Sequence, residues 1–267
     1  MASVTLSVDE ETRVGAIEFD RTAYNHEFMT EFRSCIDAAG SDSRVRVVTI
    51  TNRIPGVFCF GADANAFQTM ATDERIRTAR FDNEVTGLLP GLNKPVIAAV
   101  NGTALGGGLE IALACDFIVL ARTILNREGT QIPTPLGLPE VKLGLMPGNG
   151  GTQRLARRIG RRALFYAMTG ANISPEDALA WGLVDRLVDS EKLGEEVATF
   201  AALFTKLAPL AVAAIKRATL QGMEESLSRG LAIEAAELRE IFASRDAQEG
   251  LNAFFEKPRR EPIWTGN

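Results

Sequence analysis

A run of three glycines lies between a predicted strand and a predicted helix, just before a glutamate. The segment is Asn101–Glu110, NGTALGGGLE, with Gly106, Gly107 and Gly108 near its end. Glycine lets backbone approach a ligand closely, and the free N–H groups of a helix start attract negative charge. The segment is therefore a candidate anion site, although tight helix–sheet packing would use the same glycines. It lacks the Gly-Lys-Ser/Thr of a P-loop and does not fit the dinucleotide-binding pattern.

Two further segments carry residues that could take part in chemistry. In Phe58–Asp63, FCFGAD, a short strand runs into a helix start, where backbone N–H groups are again free, although a simple turn would give the same pattern. In the other segment, Glu140 follows Pro139 in an apolar stretch and precedes the glycine-rich residues 147–151. A buried carboxylate is costly unless it is paired or poised for proton transfer. Glu140 is therefore a candidate acid or base, the alternative being a loop carboxylate that caps a nearby helix.

Strands that alternate with helices must position these segments. Apolar and β-branched runs predict strands at 4–8, 13–19, 45–51, 57–59, 94–100 and 117–120. Capping residues and apolar periodicity predict helices at 26–39, 73–89, 109–115, 151–159 and 161–169, from 174, and from 192 to about 255. Residues 122–135 have no clear period and predict a loop or an extended hairpin. The pattern predicts an α/β core followed by a helical region.

The composition is that of an ordinary globular protein. The 267 residues are 46% hydrophobic and 24% charged, and the net charge of −5 argues against nucleic-acid binding. No run approaches the length of a transmembrane helix, and the acidic start of the chain is unlike a signal or transit peptide. Cys35, Cys59 and Cys115 form no CxxC pair, which gives no disulfide framework or zinc site and favours a reducing, cytoplasmic location. The only histidine, His26, is expected to have no catalytic role.

In their order along the chain, these segments resemble the crotonase (enoyl-CoA hydratase/isomerase) family. The family pattern has G-A-D, then N-G-x-A-x-G-G-G-x-E, then P-E, then P-G-x-G-G-T-Q-R, and all four blocks are present here. A fifth match lies within 244–264, so the resemblance covers nearly the whole chain. It implies a crotonase spiral of repeated β-β-α turns over 1–200, which holds coenzyme A and the active site. A C-terminal helical region over 201–267 is then expected to form trimers and to close the pocket.

The resemblance also implies roles for four residues. The backbone N–H groups of Ala62 and Gly107 correspond to the oxyanion hole that binds a thioester oxygen. Glu110 and Glu140 correspond to the two catalytic acids of the hydratases. We expect Glu110 to activate water and Glu140 to protonate the α-carbon, although the pair is better defined than the division of roles.

Coenzyme A is expected to enter as part of the substrate, and neither a metal nor another cofactor is implied. By resemblance, Phe60, Asp63 and Ala64 around the G-A-D segment hold its adenine and pantetheine. Many hydratases carry a lysine just after that segment, but this chain has Ala64-Asn65-Ala66 there. The phosphate partner must then come from elsewhere, and the candidates in the helical region are Lys216, Lys257 and Arg259.

One departure from the family pattern concerns the spacing of the two glutamates. Glu110 and Glu140 lie farther apart than in typical members, and the extra residues fall in 122–135. Glu128 is nearer to the family spacing, but its neighbours match nothing in the family, whereas Glu140 has the full pattern around it. Loops tolerate insertions well, so both glutamates are expected to stay anchored while the shape of the pocket changes.

The resemblance implies an enoyl-CoA hydratase, a hydro-lyase that adds water across the 2,3 double bond of an enoyl-CoA thioester in fatty acid metabolism. The expected assembly is a homotrimer or a hexamer of two trimers. Alternatives in the family are dehydration of a substituted 3-hydroxyacyl-CoA, isomerisation and thioester hydrolysis, and the carboxylate pair favours a hydratase or dehydratase over an isomerase. A catalytically silent RNA-binding or scaffold protein is a distant alternative. The arginines between 154 and 162 could bind RNA, but a solvated or subunit-facing helix surface is more common, and neither nucleic acid nor membrane is expected as a partner.

Overall fold

The structure, a computed structural model, describes residues 2–267 and is built from two sheets, a hairpin and a series of helices. The strands are β1 (Val4–Asp9), β2 (Val14–Phe19), β3 (Val47–Asn52), β4 (Gly56–Cys59), β5 (Val96–Val100), β6 (Gly102–Leu105), β7 (Phe117–Ala121), β8 (Thr123–Leu125), β9 (Gln131–Pro133), β10 (Leu136–Gly137), β11 (Asn172–Ile173) and β12 (Arg186–Val188). The α-helices are α1 (His26–Ser41), α2 (Ala64–Thr69), α3 (Thr72–Gly91), α4 (Gly107–Ala114), α5 (Gly151–Ile159), α6 (Arg162–Thr169), α7 (Pro175–Ala180), α8 (Leu193–Thr205), α9 (Pro209–Gly222), α10 (Leu227–Ala243) and α11 (Arg245–Phe255). Short 3₁₀ helices cover Pro139–Leu143 and Ser190–Lys192.

The larger sheet has six strands in the order β1-β2-β3-β5-β7-β12. β1 and β2 pair antiparallel, and the other neighbours pair parallel. Its central strands are almost continuously apolar, because both faces of the sheet are covered. Val48 and Ile50 of β3 belong to the main core. Val47 of the same strand packs in a second cluster that includes Phe200 of α8.

The smaller sheet brings together segments that are distant in the sequence. Its order is β11-β10-β6-β4, and β4, β6 and β10 run parallel. The carboxyl ends of parallel strands meet at one edge of a sheet, where ligands commonly bind in α/β proteins. At this edge β4 leads to the G-A-D segment, β6 leads to the glycine run and α4, and β10 leads to the 3₁₀ helix Pro139–Leu143.

Aromatic side chains fill the core next to α1. The Asn25 side chain caps this helix by accepting a hydrogen bond from Phe28 N at 3.0 Å, as its position predicts. The Phe19 ring lies 4.8 Å from the Phe28 ring and 5.2 Å from the Phe32 ring, centroid to centroid. All three side chains are fully buried, and Phe58 of β4 packs on the same cluster at 5.9 Å from Phe19. The cluster thus connects both sheets to α1.

The chain ends in four helices, α8 to α11. α8 packs Phe200 and Phe204 against Phe117 of β7, each with ring centroids 5.2 Å from it. α9 and α10 pack on each other. Residue 200, the predicted domain boundary, lies inside α8, and the division of the chain there stays a prediction. Within residues 2–267 no single helix is long and apolar enough to cross a membrane, although the bent pair Ser190–Thr205 and Pro209–Gly222 meets criteria of length and composition alone.

The α/β fold and most predicted elements are confirmed. Residues 122–135 adopt the hairpin alternative, with β8 and β9 paired antiparallel. β6 begins at Gly102, directly after Asn101. A Cβ at Gly102 would lie 1.9 Å from Gly56 C, so glycine permits the close approach of β4 and β6. β10 and β11 were not predicted, since two-residue strands are too short to show a period.

Candidate active site

The chain leaves β4 through a turn at Gly61 that requires glycine. Gly61 has a φ of +96°, and a Cβ on it would lie 2.8 Å from Gly107 N. Ala62 then forms a parallel bridge with Tyr24. The hydrogen bonds of this bridge run from Tyr24 N to Gly61 O at 2.9 Å and from Asp63 N to Tyr24 O at 2.8 Å. The N–H of Ala62 takes no part in the bridge and is directed away from Tyr24.

A second free backbone donor lies at the start of α4. Gly107 is the first residue of this helix, where N–H groups have no intrahelical partner. The contact between Gly61 and Gly107 places it beside Ala62. Every residue of α4 is buried, so the positive end of its dipole acts in a medium of low dielectric constant. The N–H groups of Ala62 and Gly107 are the two predicted oxyanion donors. They therefore lie close together, one just after β4 and the other at the start of α4.

Glu110 lies one turn into α4 and is 2% exposed. Its Oε1 accepts hydrogen bonds from Asn149 N at 2.8 Å and from Gly151 N at 2.6 Å, both in the glycine-rich turn before α5. Burial raises the pKa of Glu110 to about 7; the nearby Glu140 carboxyl also raises it, and the two N–H groups lower it. The result is a buried carboxyl group, held by one oxygen, that titrates near neutral pH.

Glu140 is the second residue of the 3₁₀ helix that follows β10. Its carboxyl group reaches the start of α4, because a Cβ on Gly106 would lie 3.0 Å from Glu140 Oε1. Its Oε2 is buried and has no hydrogen-bond partner among residues 2–267. Burial raises the pKa of Glu140 as well. The structure thus brings Glu140 to the same helix start as Glu110, Ala62 and Gly107.

The residues expected to hold coenzyme A lie on the surface beside Ala62. Phe60 is 45% exposed, and its N–H donates to Thr22 O at 2.7 Å. Asp63 caps α2 by accepting a hydrogen bond from Asn65 N at 2.9 Å, and Ala64 is exposed as the first residue of that helix. Their contact with coenzyme A stays a prediction.

The additional residues between the two glutamates form the β8–β9 hairpin. Glu128 lies in its exposed turn, where its carboxylate accepts a hydrogen bond from Asn126 Nδ2 at 2.8 Å. The hairpin ends before β10, so it lengthens the chain without moving Glu140 from the edge of the smaller sheet. This arrangement supports the choice of Glu140 over Glu128.

Two of the three basic residues considered from the sequence, Lys216 and Arg259, have partners within the chain. Lys216 Nζ is nearly buried and donates to Asp116 Oδ2 at 2.7 Å and to Lys94 O at 3.0 Å, so it is not available to a phosphate. The guanidinium of Arg259 lies 4.2 Å from the centroid of the Phe254 ring.

The arginines between 154 and 162 also differ in their exposure. Arg154 donates to Asn149 O at 2.7 Å and Arg158 donates to Cys115 O at 2.8 Å, both from partly buried positions. The expectation of a solvated or subunit-facing helix surface was therefore wrong for these two, because both donate to buried main chain next to α4. Arg157 remains exposed and pairs with Glu224.

Three buried polar residues near Glu110 were missed by sequence reasoning. Tyr24, Asp82 and Asn149 are each 3% exposed. Asn149 Nδ2 donates to Thr86 Oγ1 at 2.9 Å, and its backbone N–H is one of the two that hold Glu110. Asp82 lies one turn before Thr86 on the buried face of α3. The sequence signal that could have identified Asp82 is its position, as a carboxylate, among the apolar residues of the α3 face that packs inward.

Comparisons with known proteins show the family of the chain. The family model for enoyl-CoA hydratase/isomerase matches residues 9–267. A crotonyl-CoA hydratase of Syntrophomonas wolfei is 34% identical over 264 residues, which cover 96% of this chain and 97% of that protein. A short-chain-enoyl-CoA hydratase of Clostridium acetobutylicum is 34% identical over 259 residues, or 95% of each chain.

A solved structure gives the same result for the fold. The enoyl-CoA hydratase of Bacillus anthracis matches with a TM-score of 0.90 at 31% identity, over 99% of this chain and 100% of that chain. The predicted crotonase fold with C-terminal helices is confirmed by this match. The chain therefore belongs to the enoyl-CoA hydratase/isomerase family and is an enzyme of the hydro-lyase type.

Proposed function

We propose that this enzyme adds water across the 2,3 double bond of an enoyl-CoA thioester, using a backbone oxyanion hole and two glutamates. The observation that carries the proposal is the pair of carboxyl groups, Glu110 and Glu140, that meet at the first turn of α4 with raised pKa values. Burying a carboxyl group is costly, and such groups are typical of sites of proton transfer.

In the proposed reaction the thioester oxygen accepts hydrogen bonds from the N–H groups of Ala62 and Gly107. When water attacks the β-carbon, the π electrons of the double bond move toward this oxygen, which gains enolate charge. Donors that are already in place stabilise this charge without reorganising, and the loss of one typically costs roughly 3–4 kcal/mol of barrier. The dipole of α4 contributes in the same direction.

Glu110 is proposed to take the proton from the attacking water. Its Oε1 is occupied by two N–H groups, and its Oε2 accepts no hydrogen bond from the described residues, so Oε2 is free to accept that proton. With a pKa of about 7, the group is partly ionised at neutral pH and still basic enough to compete for the proton. General-base catalysis requires this balance.

Glu140 is proposed to deliver a proton to the α-carbon. Its raised pKa favours the protonated form, which can donate. As the enolate collapses, the O–H bond of Glu140 breaks, a C–H bond forms at the α-carbon and the thioester carbonyl is restored. The proton that Glu110 accepted then returns through solvent to Glu140, so one water is consumed and both carboxyl groups are regenerated.

Coenzyme A is proposed to lie along Phe60, Asp63 and Ala64. Exposure of Phe60 and Ala64 beside Ala62 supports this, because the nucleotide must stay at the surface while the acyl group enters the site. The reaction moves a water molecule and protons, so the proposal includes no metal and no cofactor other than the coenzyme A of the substrate.

We further propose that the enzyme assembles as a homotrimer or as a hexamer of two trimers. The last helices expose large apolar side chains, among them Ile215, Leu227, Leu231, Leu238, Phe242 and Leu251. Exposed apolar surface of this kind is typical of an interface with another protein. A cytoplasmic location is proposed because all three cysteines are free, as expected in a reducing compartment.

The first test follows the conjugated enoyl absorbance of crotonyl-CoA when it is mixed with purified enzyme. We expect rapid loss with the wild type and at least about a hundredfold slower loss with Glu110→Gln and with Glu140→Gln, as for general acid–base groups. Glu128→Gln is the matched control, because this carboxylate lies in the exposed β8–β9 turn, and it should leave the rate unchanged.

Two outcomes would contradict the proposal. If the wild type hydrates neither crotonyl-CoA nor branched, aromatic or hydroxylated enoyl thioesters, the hydratase reaction is wrong. If either glutamine variant keeps the wild-type rate, that glutamate is not a catalytic acid or base. Because hydration is reversible, a dehydratase working through the same site is identified by a kcat/KM for dehydration of a substituted 3-hydroxyacyl-CoA that far exceeds the kcat/KM for hydration of crotonyl-CoA.

A further inference from the structure

A group of buried polar atoms without partners lies on the α3 side of Glu110. Asp82 Oδ1 and Asn149 Oδ1 are buried and have no hydrogen-bond partner anywhere in residues 2–267. Buried polar groups in proteins are nearly always hydrogen-bonded, because an unmade bond is costly. Two such oxygens next to a candidate site therefore indicate a ligand group that would satisfy them.

The amide of Asn149 is oriented by its neighbours. Its Nδ2 donates to Thr86 Oγ1 at 2.9 Å, so Oδ1 of the same amide points away from Thr86. Its backbone N–H donates to Glu110 Oε1 at 2.8 Å, which ties this residue to the proposed base. Asp82 is one helical turn before Thr86 on the same buried face of α3, the spacing at which helical side chains are neighbours.

Tyr24 connects this group to the oxyanion donors. A Cβ on Gly107 would lie 2.1 Å from Tyr24 Oη, so the phenol covers the first residue of α4. Burial raises the pKa of Tyr24 well above its ordinary value, and the carboxyl groups of Asp82 and Glu110 raise it further, whereas a hydrogen bond from the Asn149 side chain lowers it. The Tyr24 hydroxyl therefore keeps its proton and lies within the electrostatic reach of both carboxyl groups.

We propose that Tyr24, Asp82 and Asn149 line the inner wall of the acyl pocket and bind a hydroxyl group carried by the acyl chain. A thioester oxygen held by Gly107 would place the carbonyl carbon beside Tyr24, and a β-carbon near Glu110 would direct the rest of the chain toward Asn149 and Asp82. The substrate class is then an enoyl-CoA with a hydroxylated acyl group. This inference rests on the proposed function, because it uses the same oxyanion hole.

The chemistry of the wall favours a neutral hydroxyl over an alkyl end or a carboxylate. An alkyl end would leave Asp82 Oδ1 and Asn149 Oδ1 without partners. A carboxylate would face the carboxyl groups of Asp82 and Glu110, and like charges at close range repel. A hydroxyl can donate to Asn149 Oδ1 and accept from Asp82, whose pKa burial raises to about 7 so that the acid is partly protonated at neutral pH.

The test measures binding of saturated acyl-CoA thioesters by titration calorimetry, which needs no turnover. Three series of increasing chain length are compared: chains that end in a methyl group, the same chains with a hydroxyl on the last carbon, and the same chains with a terminal carboxylate. At the best length we expect the hydroxylated thioester to bind about tenfold or more tightly than its alkyl counterpart. The carboxylate should bind more weakly than either.

Variants at Asp82 assign the preference to this wall. Asp82→Leu removes the hydrogen-bonding group and should abolish the ratio of hydroxyl to alkyl affinity, whereas Asp82→Asn should keep most of it. Glu84→Leu is the matched control, since this carboxylate is exposed on the same helix, and it should keep the wild-type ratio. The ratio of kcat/KM for the corresponding enoyl thioesters should follow the ratio of affinities.

The inference is overturned if no chain length shows a hydroxyl preference, if the carboxylate binds most tightly, or if Asp82→Leu keeps the wild-type ratio. A loss of affinity that is equal for all three series in Asp82→Leu would show a structural role instead. If hydroxylated thioesters bind preferentially but no enoyl thioester is hydrated, the wall stands and the proposed hydration fails. The two proposals are thereby tested separately.

Discussion

The surroundings of Glu110 destabilise the ionised form of its carboxyl group. α4 is buried along its whole length, and the N–H groups of Asn149 and Gly151, together with the nearby Arg154 cation, compensate in part for the lost solvent. The pKa of about 7 records the balance between these effects. General-base catalysis is most efficient when the pKa of the base lies near the operating pH, so the burial that costs stability is what suits Glu110 to its proposed role.

At the residue scale we expect kcat/KM for crotonyl-CoA to fall as the pH decreases below about 7. Protonated Glu110 cannot accept the proton of the attacking water, so the rate should follow its ionised fraction. The measurement is a pH–rate profile of the wild type, with Glu128→Gln as the control that should superimpose on it. A profile that stays flat down to about pH 5 would assign the base to another group.

The same pKa predicts how stability depends on pH. The ordinary value is 4.5 and the folded value is about 7, so the folded state binds this proton more tightly than the unfolded state. The stabilisation by the proton is fully present below the ordinary pKa and is lost as the pH rises through the folded pKa. Glu110→Gln, which never ionises, should therefore be more stable than the wild type at alkaline pH, by on the order of 1–3 kcal/mol.

Urea unfolding at two pH values checks this expectation. At a pH well below 4.5 the advantage of Glu110→Gln should disappear, because both proteins are then uncharged at this position. An advantage that is independent of pH would mean that the glutamine acts through packing and not through the charge.

At the scale of elements, the smaller sheet fixes the distance between the two glutamates. β10 pairs with β6 through Leu136 opposite Ala104, and Gly106 N donates to Gly137 O at 2.9 Å. The strand before Glu140 is thus bonded to the strand before α4. The length of chain between β7 and β10 is therefore free to vary, since pairing and not sequence spacing sets the geometry.

This arrangement predicts that the tip of the β8–β9 hairpin is dispensable for folding and for chemistry. Replacing Asn126–Thr130 with the tight turn Asn-Gly should keep Leu125 paired with Gln131. We expect crotonyl-CoA hydration to change by less than about threefold, because the cost of closing a loop depends only weakly on its length. Thermal unfolding monitored by circular dichroism shows whether the shortened variant is as stable as the wild type.

A large loss of activity in a variant that unfolds like the wild type would show that the hairpin contacts substrate. Loss of folding would show that the hairpin supports β10, in which case the pairing of β6 and β10 is not sufficient to hold Glu140.

At the scale of the whole molecule, the C-terminal helices are tied to the core on one side and expose apolar surface on the other. Lys216 of α9 pairs with Asp116, directly after α4, at 2.7 Å, and both side chains are nearly buried. Elsewhere on these helices Leu227 and Phe242 are 79% and 75% exposed. A chain that is anchored in this way presents a fixed apolar face, which is what association with other copies requires.

We expect the wild type to sediment as a trimer or hexamer and Leu231→Glu combined with Phe242→Glu to sediment as a smaller species. A glutamate buried in an apolar interface would have to lose its hydration without gaining a partner. Leu125→Glu at the exposed start of the hairpin turn is the control and should leave the assembly unchanged. Sedimentation velocity distinguishes these states, and a monomeric wild type would contradict the proposed assembly.

The sequence by itself determined the elements that local signals specify. Asn25 predicts the start of α1, continuous apolar runs predict β3 and β5, and the ordered glycine and glutamate motifs identify the family and single out Glu110 and Glu140. Such signals are local, because capping, periodicity and the conformational freedom of glycine act within a few residues. The hairpin was left open as one of two alternatives, since three-residue strands carry little pattern.

Only the tertiary structure decided which residues share the site and how they titrate. The parallel pairing of β4, β6 and β10 brings the three motif segments to one edge, and two-residue β10 has no sequence signature of its own. Asn149 looks like a solvent-facing loop residue until the fold buries it near Glu110. Asp82 differs from such a residue only by its place in the inward-packing stripe of α3. Burial, the pKa of a carboxyl group and the partner of Lys216 all depend on residues far away in the chain, so no local pattern encodes them.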